Sequence, residues 1–189
     1  PETAIPVLPH LKYLLFRPAH PLKMFYDIAL QLCAIINNGS LESLHIVDTQ
    51  INPDAFIVLM SAIKDSCTLT KLNLTHVTLY PGGAQQLADM IKNHQTLKQL
   101  NISQINCRLP DIETIMKGLA KNESIEKLRI SHERPDVIPL IRQQLPLVLA
   151  ENSTLTDVGH YSDQIQTLLE KNLQIRNQKR FKRCKPANM

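Results

Sequence analysis

The stretch from Leu69 to Ile91, LTKLNLTHVTLYPGGAQQLADMI, changes period half-way along. In its first half Leu72 and Leu74 fall on one side of an extended chain and Lys71, Asn73 and Thr75 on the other, the two-residue alternation of a strand. In its second half Ala84, Leu87, Ala88 and Ile91 share one stripe of a helix. The change comes at Gly82-Gly83, the only glycine pair in the chain. One strand and one helix therefore fit into a unit that is too short to close a core alone.

The opening of that unit recurs on both sides. Leu41, Leu44 and Ile46, then Leu97, Leu100 and Ile102, then Ile125, Leu128 and Ile130 repeat the aliphatic-x-x-aliphatic-x-aliphatic spacing at a constant step of twenty-eight positions. Repetition at a fixed step is the mark of a solenoid, in which each unit buries its apolar face against its neighbours. Each strand returns beside its predecessor through a helix, so the strands are expected to be parallel and the crossovers right-handed. The helical halves agree: Ala55, Leu59 and Ile63 in one unit, Ile115 and Leu119 with Ile112 and Met116 in another.

The outer units are less regular. The interval from Ile125 to Leu155 exceeds the repeat step by two positions, and Pro135, Pro139 and Pro146 predict that no uninterrupted helix follows Ile130. Leu155, Val158 and His160 read as a last, degraded strand motif. Leu8, Leu11 and Tyr13 read as the first, five positions further from the Leu41 motif than the step allows, with an insertion around residues 17–21 and a helix carrying Leu30, Ile35 and Ile36 that ends near Gly39. Six strand-bearing units are expected. Ile165, Leu168, Leu169 and Leu173 lie on one face of a terminal helix that would cap the core. The expected division is residues 1–161, a repeat array with an irregular first unit, and residues 162–189, a capping helix with a basic tail.

The pattern resembles leucine-rich repeats of the ribonuclease-inhibitor type, over roughly residues 8 to 161. The resemblance implies an α/β fold: a right-handed leucine-rich-repeat solenoid with parallel strands on the concave side and helices on the convex side. Where that family has Asn or Cys in the loop after the strand, this chain has Thr49, Val77, Ile105 and Glu133, so the loops are expected to be held by apolar packing. The lead-ins Asn122-Glu123-Ser124-Ile125 and Asn152-Ser153-Thr154-Leu155, the degraded last repeat and the basic terminal helix also resemble the tropomodulin repeat domain. Repeat-bearing effectors that intracellular bacteria deliver into host cells are similar too.

With 189 residues, 43% of them hydrophobic, the chain has material for one ordinary core. No run of eighteen apolar residues suggests a membrane span, and no secretory leader opens the chain. A start at Pro1 is expected of a fragment or a processed product. Cys33, Cys67, Cys107 and Cys184 are too dispersed for a zinc ribbon or a dense disulfide framework, and Cys33 and Cys67 are expected as buried small hydrophobes. A reduced intracellular setting follows, cytoplasmic or inside a host cell if the chain is a bacterial effector. Five Asn-x-Ser/Thr triplets, starting at Asn38, Asn73, Asn101, Asn122 and Asn152, keep a secreted form open, although a repeat rich in Asn, Ser and Thr is the favoured explanation. The charge is uneven: seven basic and no acidic groups lie from Lys171 onward, leaving 14 basic against 17 acidic groups before it.

No nucleophile elbow, phosphate-cradling loop or His-Glu-x-x-His occurs, and the seven histidines are scattered, so no catalytic residue, cofactor or metal is expected. The informative surface is the strand face opposite the leucines, where His45, Lys71, Asn73, Gln99, Asn101, Lys127, Arg129 and Tyr161 form a ladder. Arg129 and Tyr161 are the expected energetic centres, since interface anchors are commonly Arg or aromatic. The plain alternative is that this face is merely solvated. The expected function is noncatalytic protein binding through the concave face, in a cytoskeletal regulator or a bacterial effector. Two competing readings are a nucleic-acid or anionic-lipid binder working through the basic tail, and a GTPase-activating regulator, for which no catalytic arginine stands out.

Overall fold

The computed structural model describes residues 10–18, 23–159 and 163–183. Strands β1 (Tyr13–Phe16), β3 (Ser43–Ile46), β5 (Lys71–Asn73), β6 (Gln99–Asn101) and β7 (Lys127–Arg129) form one parallel sheet in that order. Between and after them run α1 (Tyr26–Asn37), α2 (Pro53–Asp65), α3 (Gly83–Asn93), α4 (Leu109–Lys121), α5 (Val137–Glu151) and α6 (Asp163–Arg183). A short parallel pair, β2 (Lys23–Met24) with β4 (Gln50–Ile51), starts a second row. Single bridges from Gln50 to Thr78 and from Thr78 to Asn106 carry that row onward. No helix among the described residues is long and apolar enough to cross a membrane.

The constant repeat step becomes the sheet register. Leu44, Leu72, Leu100 and Leu128 stand side by side, and with Leu41, Leu69, Leu97 and Ile125 they fill one continuous core against the helices. Successive helices approach closely. A Cβ on Gly118 of α4 would stand 2.6 Å from the Ala88 carbonyl oxygen of α3, so only glycine fits that crossing. After β3, β5 and β6 the chain turns through Asp48, His76 and Gln104, each left-handed at φ 54–57° and each one repeat step from the next. Gly82, at φ 88°, opens α3 in a conformation that suits glycine.

The first repeat differs from its sequence reading. Leu14 pairs with Leu44 and Phe16 with Ile46, so the motif is Leu11, Leu14 and Phe16, two positions further from its neighbour than the regular step. Tyr13, expected in the core, lies on the opposite face and is 53% exposed. Leu8 lies outside the described residues. On α1 the buried stripe is Ala29, Leu32, Cys33 and Ile36, and Leu30 faces out.

Two expectations about the far end also change. Helix α5 runs unbroken from Val137 to Glu151 although Pro146 lies within it. Proline removes one helical hydrogen bond, but Ile141 and Leu145 before it and Val148 and Leu149 after it are buried, which holds both halves in line. The sixth strand motif reduces to one bridge between Lys127 and Asp157, with Leu155 and Val158 buried beneath it. In α6, Ile165 and Leu169 are buried, whereas Leu173 is exposed and Asn172 takes the inward place.

That asparagine belongs to a series the sequence did not reveal. After α2, α3, α4 and α5, a side chain accepts backbone N–H groups that open the turn. Ser66 Oγ accepts from Leu69, His94 Nδ1 from Thr96 and Leu97, Asn122 Oδ1 from Ser124 and Ile125, and Asn152 Oδ1 from Thr154 and Leu155. The asparagines also reach back to the preceding repeat. Asn122 Nδ2 donates to the Ile91 and His94 carbonyls, Asn152 Nδ2 to those of Leu119 and Asn122, and Asn172 Nδ2 to those of Asn152 and Leu155. Two of the Asn-x-Ser/Thr triplets are thus buried turn motifs with no room for a glycan.

Candidate partner-binding face

The face of the sheet turned away from the core carries two lanes of side chains. One runs Tyr13, Ser43, Lys71, Gln99 and Lys127, with Asp157 bridged beyond; the other runs Leu15, His45, Asn73, Asn101 and Arg129. His45, Lys71, Asn73, Gln99, Asn101, Lys127 and Arg129 come together, with Leu72 and Leu100 at the floor, around one groove of about 210 Å³. Tyr161 lies outside the described residues.

The amides of the second lane are fixed. Asn73 Oδ1 accepts the Thr75 N–H at 3.0 Å, so its Nδ2 faces His45 Nδ1 at 3.2 Å and donates to it. The imidazole proton is then on Nε2, 3.0 Å from Ser43 Oγ. The Tyr13 ring covers the histidine with centroids 4.9 Å apart. Burial, and then the charge of Lys71, push the His45 pKa down, so the ring is neutral near pH 7. Asn101 repeats the geometry, accepting the Ser103 N–H at 3.0 Å.

The cations are not equivalent. Arg129 forms a two-pronged pair with Asp157, at 2.8 and 3.0 Å, and Nη1 also donates to the Leu128 carbonyl. That pairing holds the Asp157 carboxyl below its ordinary range. The arginine singled out from the sequence is thus engaged within the chain. Lys71 and Lys127 are exposed and form no ion pair among the described residues. By contrast, Lys12, Lys98 and Lys121 along the turn edge are paired with Glu42, Glu126 and Glu151.

Sequence reasoning missed Tyr13 and Leu15, both about half exposed at the open end of the lanes. The signal was present, since Leu11, Leu14 and Phe16 match the repeat motif as well as Leu8, Leu11 and Tyr13 do. It missed Asp157 as the partner of Arg129, although the two lie one repeat step apart. Arg176, counted among the basic groups of the tail, bonds Glu126 at 2.7 Å from α6. Side chains from Lys179 onward, and Cys184, lie outside the described residues. Of the cysteines, Cys33 and Cys107 are buried, with the Cys107 thiol pushed up to about 11 by burial, whereas Cys67 is exposed. The expectation for Cys67 fails because it follows the end of α2, in the turn rather than on the buried stripe.

No family model and no curated protein sequence matches the chain. Solved structures do. That of leiomodin-1 actin-binding site 2 is similar with a TM-score of 0.71 and 19% identity, over 87% of this chain and 99% of that one. The chain shares its fold with that domain. The C-terminal domain of tropomodulin from Caenorhabditis elegans is similar as well, with a TM-score of 0.64 and 14% identity, over 84% of this chain and 99% of that one. Of the three resemblances drawn from sequence, the tropomodulin one thus has the structural counterpart. At these identities the likeness is one of fold.

Proposed function

We propose that the chain is a noncatalytic protein-binding module that engages its partner through the open face of the sheet, with actin the first partner to test. The observation that carries this reading is the groove itself: a row of oriented amides on a parallel sheet and two lysines that form no ion pair among the described residues, where the one carboxylate beside the lanes, Asp157, is already held by Arg129. Ready donors fixed by a scaffold suit recognition, since little ordering cost remains on binding. The likeness in fold to leiomodin-1 actin-binding site 2 makes actin the candidate.

Co-sedimentation with filamentous actin and gel filtration with monomeric actin test the reading directly. Gln99→Trp, which fills the middle of the groove, is expected to weaken binding at least tenfold. Replacing Lys179, Arg180, Lys182 and Arg183 by alanine is expected to leave it within about twofold. The opposite pattern, with loss on neutralising the tail and none at Gln99, would assign binding to the tail.

A further inference from the structure

The open face has two unlike ends, and this says what kind of segment it fits. At β1 the lanes begin with Tyr13 and Leu15, apolar side chains 53% and 49% exposed where every following position is polar. Tyr13 is held in place by its contact with His45, so it is an ordered aromatic platform. Further along the same lane come Lys71, two strands away, and Lys127, four strands away. At about 4.8 Å per parallel strand, these ammonium groups lie roughly 10 and 19 Å from the Tyr13 lane position. Three lysines at the turn edge form ion pairs with carboxylates within the chain; Lys71 and Lys127 form no such ion pair among the described residues, although the Lys127 charge reaches the neighbouring Asp157 carboxylate that Arg129 holds.

We propose that this face takes an extended acidic segment of a partner protein, lying across the strands with an apolar side chain on Tyr13 and Leu15 and carboxylates over Lys71 and Lys127. A segment in the extended polyproline II conformation advances about 3.1 Å per residue with three residues per turn, so side chains three and six positions from the apolar residue share its face, and the carboxylates belong there. The proposal rests on the open face being the binding surface. Charge complementarity selects the acidic class, and the exposed pair on β1 fixes where the segment starts. Neutral His45 adds no charge near pH 7, which leaves the lysines as the cationic determinants.

Fluorescence anisotropy with labelled heptapeptides tests this, using Leu at one end and Glu three and six places on, made in both chain directions. One direction is expected to bind saturably and to weaken roughly tenfold when Lys71→Ala and Lys127→Ala are combined, or when both Glu are replaced by Gln. Tyr13→Ala and replacement of the peptide Leu by Ser are each expected to cost roughly fivefold, and together no more than either alone. All substituted side chains are exposed, and circular dichroism of each variant checks that the fold is kept. No saturable binding up to about 1 mM in either direction overturns the proposal. So does equal binding of a peptide carrying Lys in place of Glu, or additive losses at Tyr13 and the peptide Leu. Loss of actin binding in Gln99→Trp with no peptide binding would leave the face as a binding surface and reject the bipartite segment. Peptide binding without actin capture would reject actin alone.

Discussion

Where a helix hands over to the next strand, this array uses buried polar side chains; where a strand hands over to the next helix, the matching places hold Thr49, Val77 and Ile105, all buried and mostly apolar. The first kind of turn is tight and lies over the core, so its N–H groups are cut off from water and need a partner. Asn122 and Asn152 meet that need twice over, accepting from their own turn and donating to the one before. The second kind of turn finds its partners in the backbone of the neighbouring repeat, as between Leu79 and Asn106 or Asn106 and Val77, and leaves side chains free to pack. Stacking is held together in one place by amide ladders and in the other by apolar contact. His94 is the weak link in the polar series. Its Nδ1 accepts two N–H groups, so its proton is on Nε2, which is buried with no acceptor among the described residues.

The contrast breaks most strongly at Asn122. Asn122→Ala removes the side-chain partner of the Ile91 carbonyl and of two buried N–H groups, while the His94 carbonyl keeps the Ser124 hydroxyl, and it is expected to cost roughly 3 kcal/mol in urea unfolding. His94 gives the next largest effect, through pH. Burial lowers its pKa to about 4, against about 6.5 in an unfolded chain. The unfolded state then binds the extra proton first as pH falls, so the contribution is full above pH 6.5 and is lost progressively toward pH 4. On the order of 3 kcal/mol is expected across that window, read as a falling urea midpoint from pH 7 to 4.5. His94→Asn sharpens the comparison, because an amide there matches Asn122 in register. It should raise stability by about 1 kcal/mol and flatten the pH dependence, measured by the same titration. Thr49→Val, which loses only the hydroxyl bond to the Val47 carbonyl in an apolar turn, should cost under about 1 kcal/mol in thermal melts.

Much of the architecture was legible because the repeat is periodic and its period is local. Leu69 to Ile91 states a strand and then a helix without reference to any other part of the chain, and the constant step then fixes which residues pair. Most of the candidate face followed from the same alternation: His45, Lys71, Asn73, Gln99, Asn101, Lys127 and Arg129 line one groove. The first repeat was misread because two overlapping triplets share Leu11, and hydrophobicity alone does not choose between Tyr13 and Leu14 as the inward residue. Pairing of Leu14 with Leu44 makes the choice.

The amino-acid sequence by itself determined the unit, its period, the parallel sheet and the side of each strand that is buried, because these depend on the order of apolar and polar residues within a single repeat and its neighbour. Only the tertiary structure decided that Asn122, Asn152 and Asn172 form a ladder, that Arg129 is bound to Asp157 while Lys71 and Lys127 form no ion pair among the described residues, and that Tyr13 and Leu15 open the exposed face. The physical reason is that each depends on a neighbour in another repeat or in the terminal helix. Such residues meet only when the sheet register brings successive turns within hydrogen-bonding distance.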